Sequence, residues 1–137
     1  MAADVRKVDY YYAVVPDKPG EGARILSALA SAGVNLLAFC GFPDARKAQL
    51  DFVPDNAAAF VRAARTAGLK LSIRKTAFLI QAKDRPGAVA AIMTKLANAK
   101  INVTAIQAAC AGAGRYGALL WVKPADLRRA ARALGLA

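Results

Sequence analysis

The part of the sequence best suited to chemistry is a four-residue phrase, Asp17-Lys18-Pro19-Gly20, that returns as Asp84-Arg85-Pro86-Gly87 67 positions later. Each copy places a carboxylate, a cation, a proline and a glycine directly before a segment with helical periodicity. The first N–H groups of a helix have no intrahelical acceptor and lie at its positive end, so they can bind a carboxylate. The neighbouring aspartate can bind an ammonium group. The phrase therefore suits an amino acid zwitterion.

An asparagine follows each phrase at the same interval, in Ala32-Gly33-Val34-Asn35 and again in Ala99-Lys100-Ile101-Asn102. Its side-chain amide both donates and accepts, which fits a ligand that bears both charges. The structural alternative is that each asparagine only shapes a turn and each aspartate only favours the helix dipole. On the binding interpretation, the candidate ligand-binding residues are Asp17, Lys18, Gly20, Asn35, Asp84, Arg85, Gly87 and Asn102.

The repeats at one common offset predict a duplicated unit, with one domain over residues 1–75 and a second over residues 76–137. A third block supports the same register, since Ala63-Ala64-Arg65 is repeated by Ala130-Ala131-Arg132. A unit of this size buries only about 60% of its unfolded surface. We therefore expect the copies to pack on each other and on a second chain.

Periodicity and turn residues place the elements of the first copy. The predicted order is a strand over 5–15, a helix over 19–33, strands over 34–42 and 48–53, a helix over 57–67 and a strand over 69–75. Pro19 is expected at the first helical position, with Lys18 as the N-cap, and Arg85 is expected to cap the matching helix. This is the ferredoxin-like βαββαβ order.

The second copy repeats this order in outline, with strands over 76–83, 101–110 and 117–122 and helices over 86–99 and 125–134. It lacks a clear final strand, so its sheet ends in an open edge unless a strand from the other copy or another chain covers it. The predicted fold class is α+β, a tandem of ferredoxin-like units whose antiparallel sheets carry their helices on one face.

At these phrases and asparagines the chain resembles the ACT domain family, small-molecule-binding regulatory modules of amino-acid metabolism. The resemblance spans nearly the whole chain. It implies that an amino acid binds at an interface between ACT units, where the first strand–helix loop and the start of the second strand contact it. One departure concerns the ligand: Val15 and Ala82 stand where some amino-acid-binding members carry a polar residue.

Composition argues against catalysis and metal binding. The chain has no histidine, which removes the commonest general base, and its two cysteines cannot make a standard zinc site without one. Cys40 and Cys110 are predicted to be small buried hydrophobes, with a disulfide or a redox role as the alternative. We expect no catalytic residue, no metal site and no cofactor.

The net charge of +11 makes RNA binding an alternative, because RRM domains share the predicted strand order. Neither third strand supplies their stacking aromatics, so we expect no nucleic acid partner and assign the cations to a solvated face or a docking surface. No apolar run approaches the ~18 residues of a membrane span, and the N-terminus lacks the pattern of a signal peptide. These features predict a cytoplasmic protein.

The sequence as a whole predicts a non-catalytic regulatory protein. It would bind a small amino acid at interfaces between ACT-like units, form a homodimer, and modulate a partner enzyme or its own assembly. Two alternatives remain open: a degenerate structural ACT pair that acts as a protein-interaction module, and a basic RNA-binding protein.

Overall fold

The structure is a computed structural model and describes residues 3–136. In chain order the elements are β1 (Asp4–Pro16), α1 (Glu21–Ser31), β2 (Leu36–Asp44), β3 (Lys47–Pro54), α2 (Ala57–Thr66), β4 (Lys75–Lys83), α3 (Ala88–Asn98), β5 (Val103–Gly112), β6 (Arg115–Val122), a 3-10 turn (Pro124–Asp126) and α4 (Leu127–Ala133). The predicted α+β class is confirmed. None of the described helices has the length and apolarity needed to cross a membrane.

The chain divides into two compact units. We call Asp9–Lys75 the first unit. The second unit joins the described residues from Thr76 onward to the N-terminal residues up to Val8. The predicted division into 1–75 and 76–137 differs from this grouping in the N-terminal residues, because the first few residues of β1 belong to the second unit.

The first unit is a sheet in the order β2-β3-β1 with two helices packed on one face. Strand β3 pairs antiparallel with both of its neighbours, with Phe52 opposite Tyr11 of β1 on one side and Phe39 of β2 on the other. The apolar stripe of α1, Ile25 and Leu29, is buried against this face. Phe60 of α2 completes an aromatic core, with ring centroids 5.4 Å from Tyr11 and 5.2 Å from Phe52.

The predicted strand over 69–75 is wrong for residues 69–74, which form no regular strand. They still lie beside β1, because the Ser72 N–H donates to the Tyr12 carbonyl oxygen at 2.8 Å. In return the Tyr12 N–H donates to the Ser72 hydroxyl oxygen at 3.0 Å. A side-chain hydroxyl thus takes the place that a backbone carbonyl holds in a regular ladder, and the ladder stops there.

The second unit has the strand order β1-β4-β6-β5, with α3 and α4 covering a core around Phe78, Leu96 and Leu120. As predicted, no strand follows α4 among the described residues. The edge beside β4 is not open, however, because β1 is its hydrogen-bonded neighbour. Strand β1 has 13 residues and pairs with β3 only from Tyr11 to Pro16, so its beginning is available to the second unit.

Candidate functional site

The two repeated phrases form the same turn. Gly20 has φ 88° and ψ −11°, and Gly87 has φ 83° and ψ 0°. The N–H of the following residue donates to the carbonyl oxygen of the phrase's cation, at 3.3 Å to Lys18 and 3.1 Å to Arg85. This is a type II turn, in which proline at the second position presets φ and glycine at the third accepts a positive φ.

The turn corrects the predicted helix starts. The N-caps are Gly20 and Gly87, not Lys18 and Arg85, and the prolines lie in the turn and not at the first helical position. The physical reason is the left-handed glycine: a residue with positive φ cannot belong to a right-handed helix, so each helix begins one residue after it.

Both helix starts keep free backbone donors. The first intrahelical bond of α1 runs from the Arg24 N–H to the Gly20 carbonyl oxygen at 2.9 Å, and α3 repeats this bond at the same length. Neither N-cap makes a side-chain hydrogen bond. Within residues 3–136, therefore, two N–H groups of each helix have no acceptor: those of Gly22 and Ala23 in α1 and of Val89 and Ala90 in α3.

The two aspartates differ in their surroundings, although both are exposed at the end of a strand. The Asp84 N–H donates to the Gly114 carbonyl oxygen at 2.8 Å, and its Oδ2 accepts from the Cys110 thiol at 3.0 Å. No described residue bonds to the Asp17 carboxylate. The β5–β6 hairpin thus holds the second aspartate in place, whereas no described residue holds the first.

Cys110 of β5 contacts this loop, which the sequence interpretation did not predict. It was predicted to be buried, and it is exposed, while Cys40 is half-buried. The hydrogen bond to Asp84 and the charge of that carboxylate raise the pKa of the Cys110 thiol. The prediction failed because Cys110 and Asp84 are 26 residues apart, and only the hairpin register brings them together.

The structure does not bring Asp17 and Asn35 of the first unit together. Pro16, next to the aspartate, is opposite Lys47 in β3, whereas Leu36, next to the asparagine, is opposite Pro54. These two positions of β3 are roughly 24 Å apart along an extended strand. The two residues therefore lie at opposite ends of the sheet.

The second unit repeats this separation. Lys83, beside Asp84, is opposite Arg115, whereas Val103, beside Asn102, is opposite Val122 at the far end of β6. In each unit the predicted site residues therefore fall into two groups, one at each end of the sheet. One is the loop with the aspartate, the cation and the glycine, and the other is the exposed asparagine before the second strand.

The first unit also contains a buried carboxylate that the sequence interpretation did not single out. Asp51 of β3 is 5% exposed and lies opposite Tyr12 on one side and Cys40 on the other. Burial raises its pKa, although Gln49 Nε2 donates to Oδ1 at 3.0 Å. Burial and the charge of Asp51 raise the pKa of Tyr10 to about 12. Within the described range, no group of three metal-ligating side chains occurs.

This arrangement of strands and helices defines an ACT-like α+β fold. The solved structures that resemble it include a Bacteroides thetaiotaomicron protein, with a TM-score of 0.82, 15% identity and coverage of 95% of this chain and 88% of that one. They also include the regulatory subunits of aspartate kinase from Thermus thermophilus (TM-score 0.67, 17% identity) and Thermus flavus (TM-score 0.66, 20% identity). Each of these two covers 98% of this chain and 95% of its own.

No family model matches the sequence, and no curated protein matches it. At such identities the structural likeness shows the fold alone. Any functional conclusion has to come from the residues of the two loops.

Proposed function

We propose that this chain is a non-catalytic regulatory protein that binds a small amino acid through its two strand–helix loops. The ligand carboxylate would accept from the free N–H groups at the start of α1 or α3. Its ammonium group would bind the aspartate that precedes the turn. The bound amino acid would change the association of the protein with itself or with a partner enzyme.

The observation that carries this proposal is the repeated loop geometry. Both phrases form the same type II turn, and both leave two helix N–H groups unbonded beside an exposed aspartate. Oriented donors at a helix end favour an anion, and an adjacent carboxylate favours a cation, so the pair selects a ligand with both charges. Conservation of the geometry over two divergent copies supports a shared role.

The position of the asparagines extends the proposal to the assembly. Asn35 and Asn102 each lie at the far end of the sheet from the aspartate of their own unit, so neither contacts a ligand held at that aspartate's loop. A second copy of the chain could supply the asparagine to each loop. On this proposal the protein works as a homodimer, and its ligand binds where units of two copies meet.

The edge strand β2 supports self-association. It is the outermost strand of the first unit, and its first eight residues, Leu36 to Pro43, carry no charge. Phe42 is 45% exposed, and Leu37 and Phe39 are each 37% exposed. An exposed apolar edge strand without a lysine offers unpaired backbone groups to another strand.

The test is a binding survey of the twenty amino acids by thermal shift, followed by titration calorimetry of any hit. A ligand at 100 times its dissociation constant adds about 2.7 kcal/mol of stability. We expect one amino acid to bind, and the double variant Asn35→Ala, Asn102→Ala to lose most of that affinity. Gln107→Ala, an exposed amide on β5, is the matched control. If no amino acid binds, or if the double variant binds normally, the proposal fails.

The exposed β2 edge also favours a second candidate, a protein-interaction module without a ligand. Sedimentation velocity separates the two. A dimer whose dissociation constant is the same with and without every amino acid supports the interaction module, whereas a ligand-dependent constant supports the regulatory proposal.

A further inference from the structure

The second unit contains a small cavity between α3 and the sheet, with a volume of about 240 Å³. Its lining residues all belong to that unit: Ala3, Ala82, Lys83, Arg85, Ala88, Ala91, Ile92, Lys95 and Tyr116. Four of them, at positions 88, 91, 92 and 95, lie on one face of α3 at helical spacing. Two are alanines, and their short side chains leave the space open.

Three cations and no acid line this cavity. Lys83, Arg85 and Lys95 make no ion pair with any described residue. The nearest acids along the chain are Asp4, which lies 3.9 Å from Arg115, and Asp84, whose carboxylate accepts from the Cys110 thiol; neither lines the cavity. Three unpaired cations at one opening attract an anion of more than one charge.

Tyr116 adds a neutral donor. It lies opposite Ala82 in the β4–β6 pair and is 5% exposed. Its hydroxyl makes no hydrogen bond to another residue of the described chain. The hydroxyl is not a buried unpaired group, so water can satisfy it, and it can donate to an anion bound in the cavity.

In the first unit, charged side chains occupy the helix face equivalent to the one that lines this cavity. Glu21 stands at the position of Ala88, and Arg24 at that of Ala91. Glu21 is 9% exposed, and its carboxylate accepts from Arg24 Nε at 3.0 Å. The first copy therefore buries a carboxylate with its own cation, whereas the second has alanine at both positions. Of its three cavity cations only Arg85 has a basic counterpart in the first copy, Lys18.

We propose that the cavity of the second unit binds a small phosphomonoester. The phosphate group would contact Lys83, Arg85 and Lys95 and accept from the Tyr116 hydroxyl, while its short carbon chain packs on Ala91. A phosphomonoester carries a charge of about −1.5 to −2 and three acceptor oxygens, which matches three cations and a hydroxyl. Arginine and lysine are the usual phosphate-binding side chains. This site adjoins the second strand–helix loop and shares Arg85 with it, but the proposal does not rest on amino acid binding.

The test is titration calorimetry of the full chain with glycerol 3-phosphate, in a buffer free of phosphate and sulfate. We expect one site per chain. Lys95→Ala should weaken binding roughly 10- to 100-fold, because a hydrogen bond to a charged group contributes about 1.5–3 kcal/mol. Lys123→Ala, an exposed lysine outside the cavity, is the matched control and should leave the affinity within a factor of about two, as expected for a remote charge screened by salt.

Ala88→Glu gives the sharpest comparison, because it restores the carboxylate of the first unit. An acid in the first turn of a helix favours the helix, so this variant should fold, which circular dichroism checks. It should abolish binding, and Tyr116→Phe should weaken it. Tyr116→Phe also serves as the second variant if Ala88→Glu is unfolded.

Three results would overturn the proposal: no heat with glycerol 3-phosphate, unchanged binding in folded Ala88→Glu, or tighter binding of succinate or a short RNA than of the phosphomonoester. Its failure is distinct from that of the amino acid proposal. The Asn35→Ala, Asn102→Ala variant should bind glycerol 3-phosphate normally, whatever it does with amino acids.

Discussion

Replacing either turn glycine by alanine tests the geometry of the two strand–helix loops, on which the proposed amino acid sites depend. Gly20 and Gly87 have φ 88° and 83°, and an added Cβ at either position meets no heavy atom within 4 Å. Any loss of stability in Gly20→Ala or Gly87→Ala must therefore come from the backbone conformation and not from a steric clash.

The magnitude follows from two opposing terms. An L-residue in the left-handed region costs about 1–2 kcal/mol relative to its preferred conformations. Replacing glycine by alanine lowers the conformational entropy of the unfolded chain, which stabilises the folded state by about 0.4–1 kcal/mol. We expect each variant to lower the free energy of unfolding by about 1 kcal/mol, from the difference of these terms.

Gly22 provides the matched control, because it lies two residues from Gly20 inside α1. Its φ is not in the positive range, and its Cβ position is equally open. Gly22→Ala should raise stability by about 0.5–1 kcal/mol, since alanine is the better helix former. The same glycine-to-alanine substitution, made two residues apart, should therefore change the free energy of unfolding in opposite directions.

Urea denaturation of the three variants measures these changes, with an unchanged m-value showing that the unfolded ensemble is comparable. If Gly20→Ala or Gly87→Ala is as stable as the wild type, the left-handed turn is refuted, and the free N–H groups of the helix starts are refuted with it. If Gly22→Ala is destabilising, the start of α1 is misplaced.

Three further predictions concern single side chains. Asn56→Ala should cost about 1 kcal/mol in urea denaturation, because its side chain caps α2 at 3.0 Å, and Asn56→Asp should retain most of the stability. Burial raises the pKa of Asp51, so the folded chain holds this proton to higher pH than the unfolded chain does. The wild type should therefore lose stability relative to Asp51→Asn as pH rises from the ordinary carboxyl pKa towards neutrality, and a pH-independent difference between the two would contradict this. Asp84→Asn should lower the pKa of Cys110 and speed its alkylation by iodoacetamide at pH 8, which peptide mass spectrometry measures, and equal rates would refute the thiol–carboxylate contact.

The elements of the fold could be predicted because their patterns are local. The stripe of Ile25 and Leu29 marks α1, and the side-chain cap at Asn56 marks the start of α2. The helix starts at the phrases were off by two residues because proline followed by glycine fits two local structures. Proline can open a helix, or it can occupy the second position of a type II turn. Only the positive φ of the glycine separates them.

The pairing of the strands could not be predicted from local patterns. Nothing in residues 4–8 indicates that β1 continues beyond its partner β3 and lies beside β4. The separation of Asp17 from Asn35, in contrast, was deducible. A helix returns the chain to the start of the sheet, so in a βαβ unit the second strand begins at the end opposite to that where the first strand stops.

The two copies show how one backbone supports two chemistries. Helices α1 and α3 have the same length and begin with the same turn, so their backbones offer the same donors. The difference lies in the first-turn side chains, where Glu21 with Arg24 is replaced by Ala88 with Ala91. In the first unit Glu21 and Arg24 occupy the helix face that lines the cavity in the second unit, so only the second unit has small residues and unpaired cations there. Duplication thus leaves both units with the same free helix N–H groups, while only the second has a cation-lined cavity beside them.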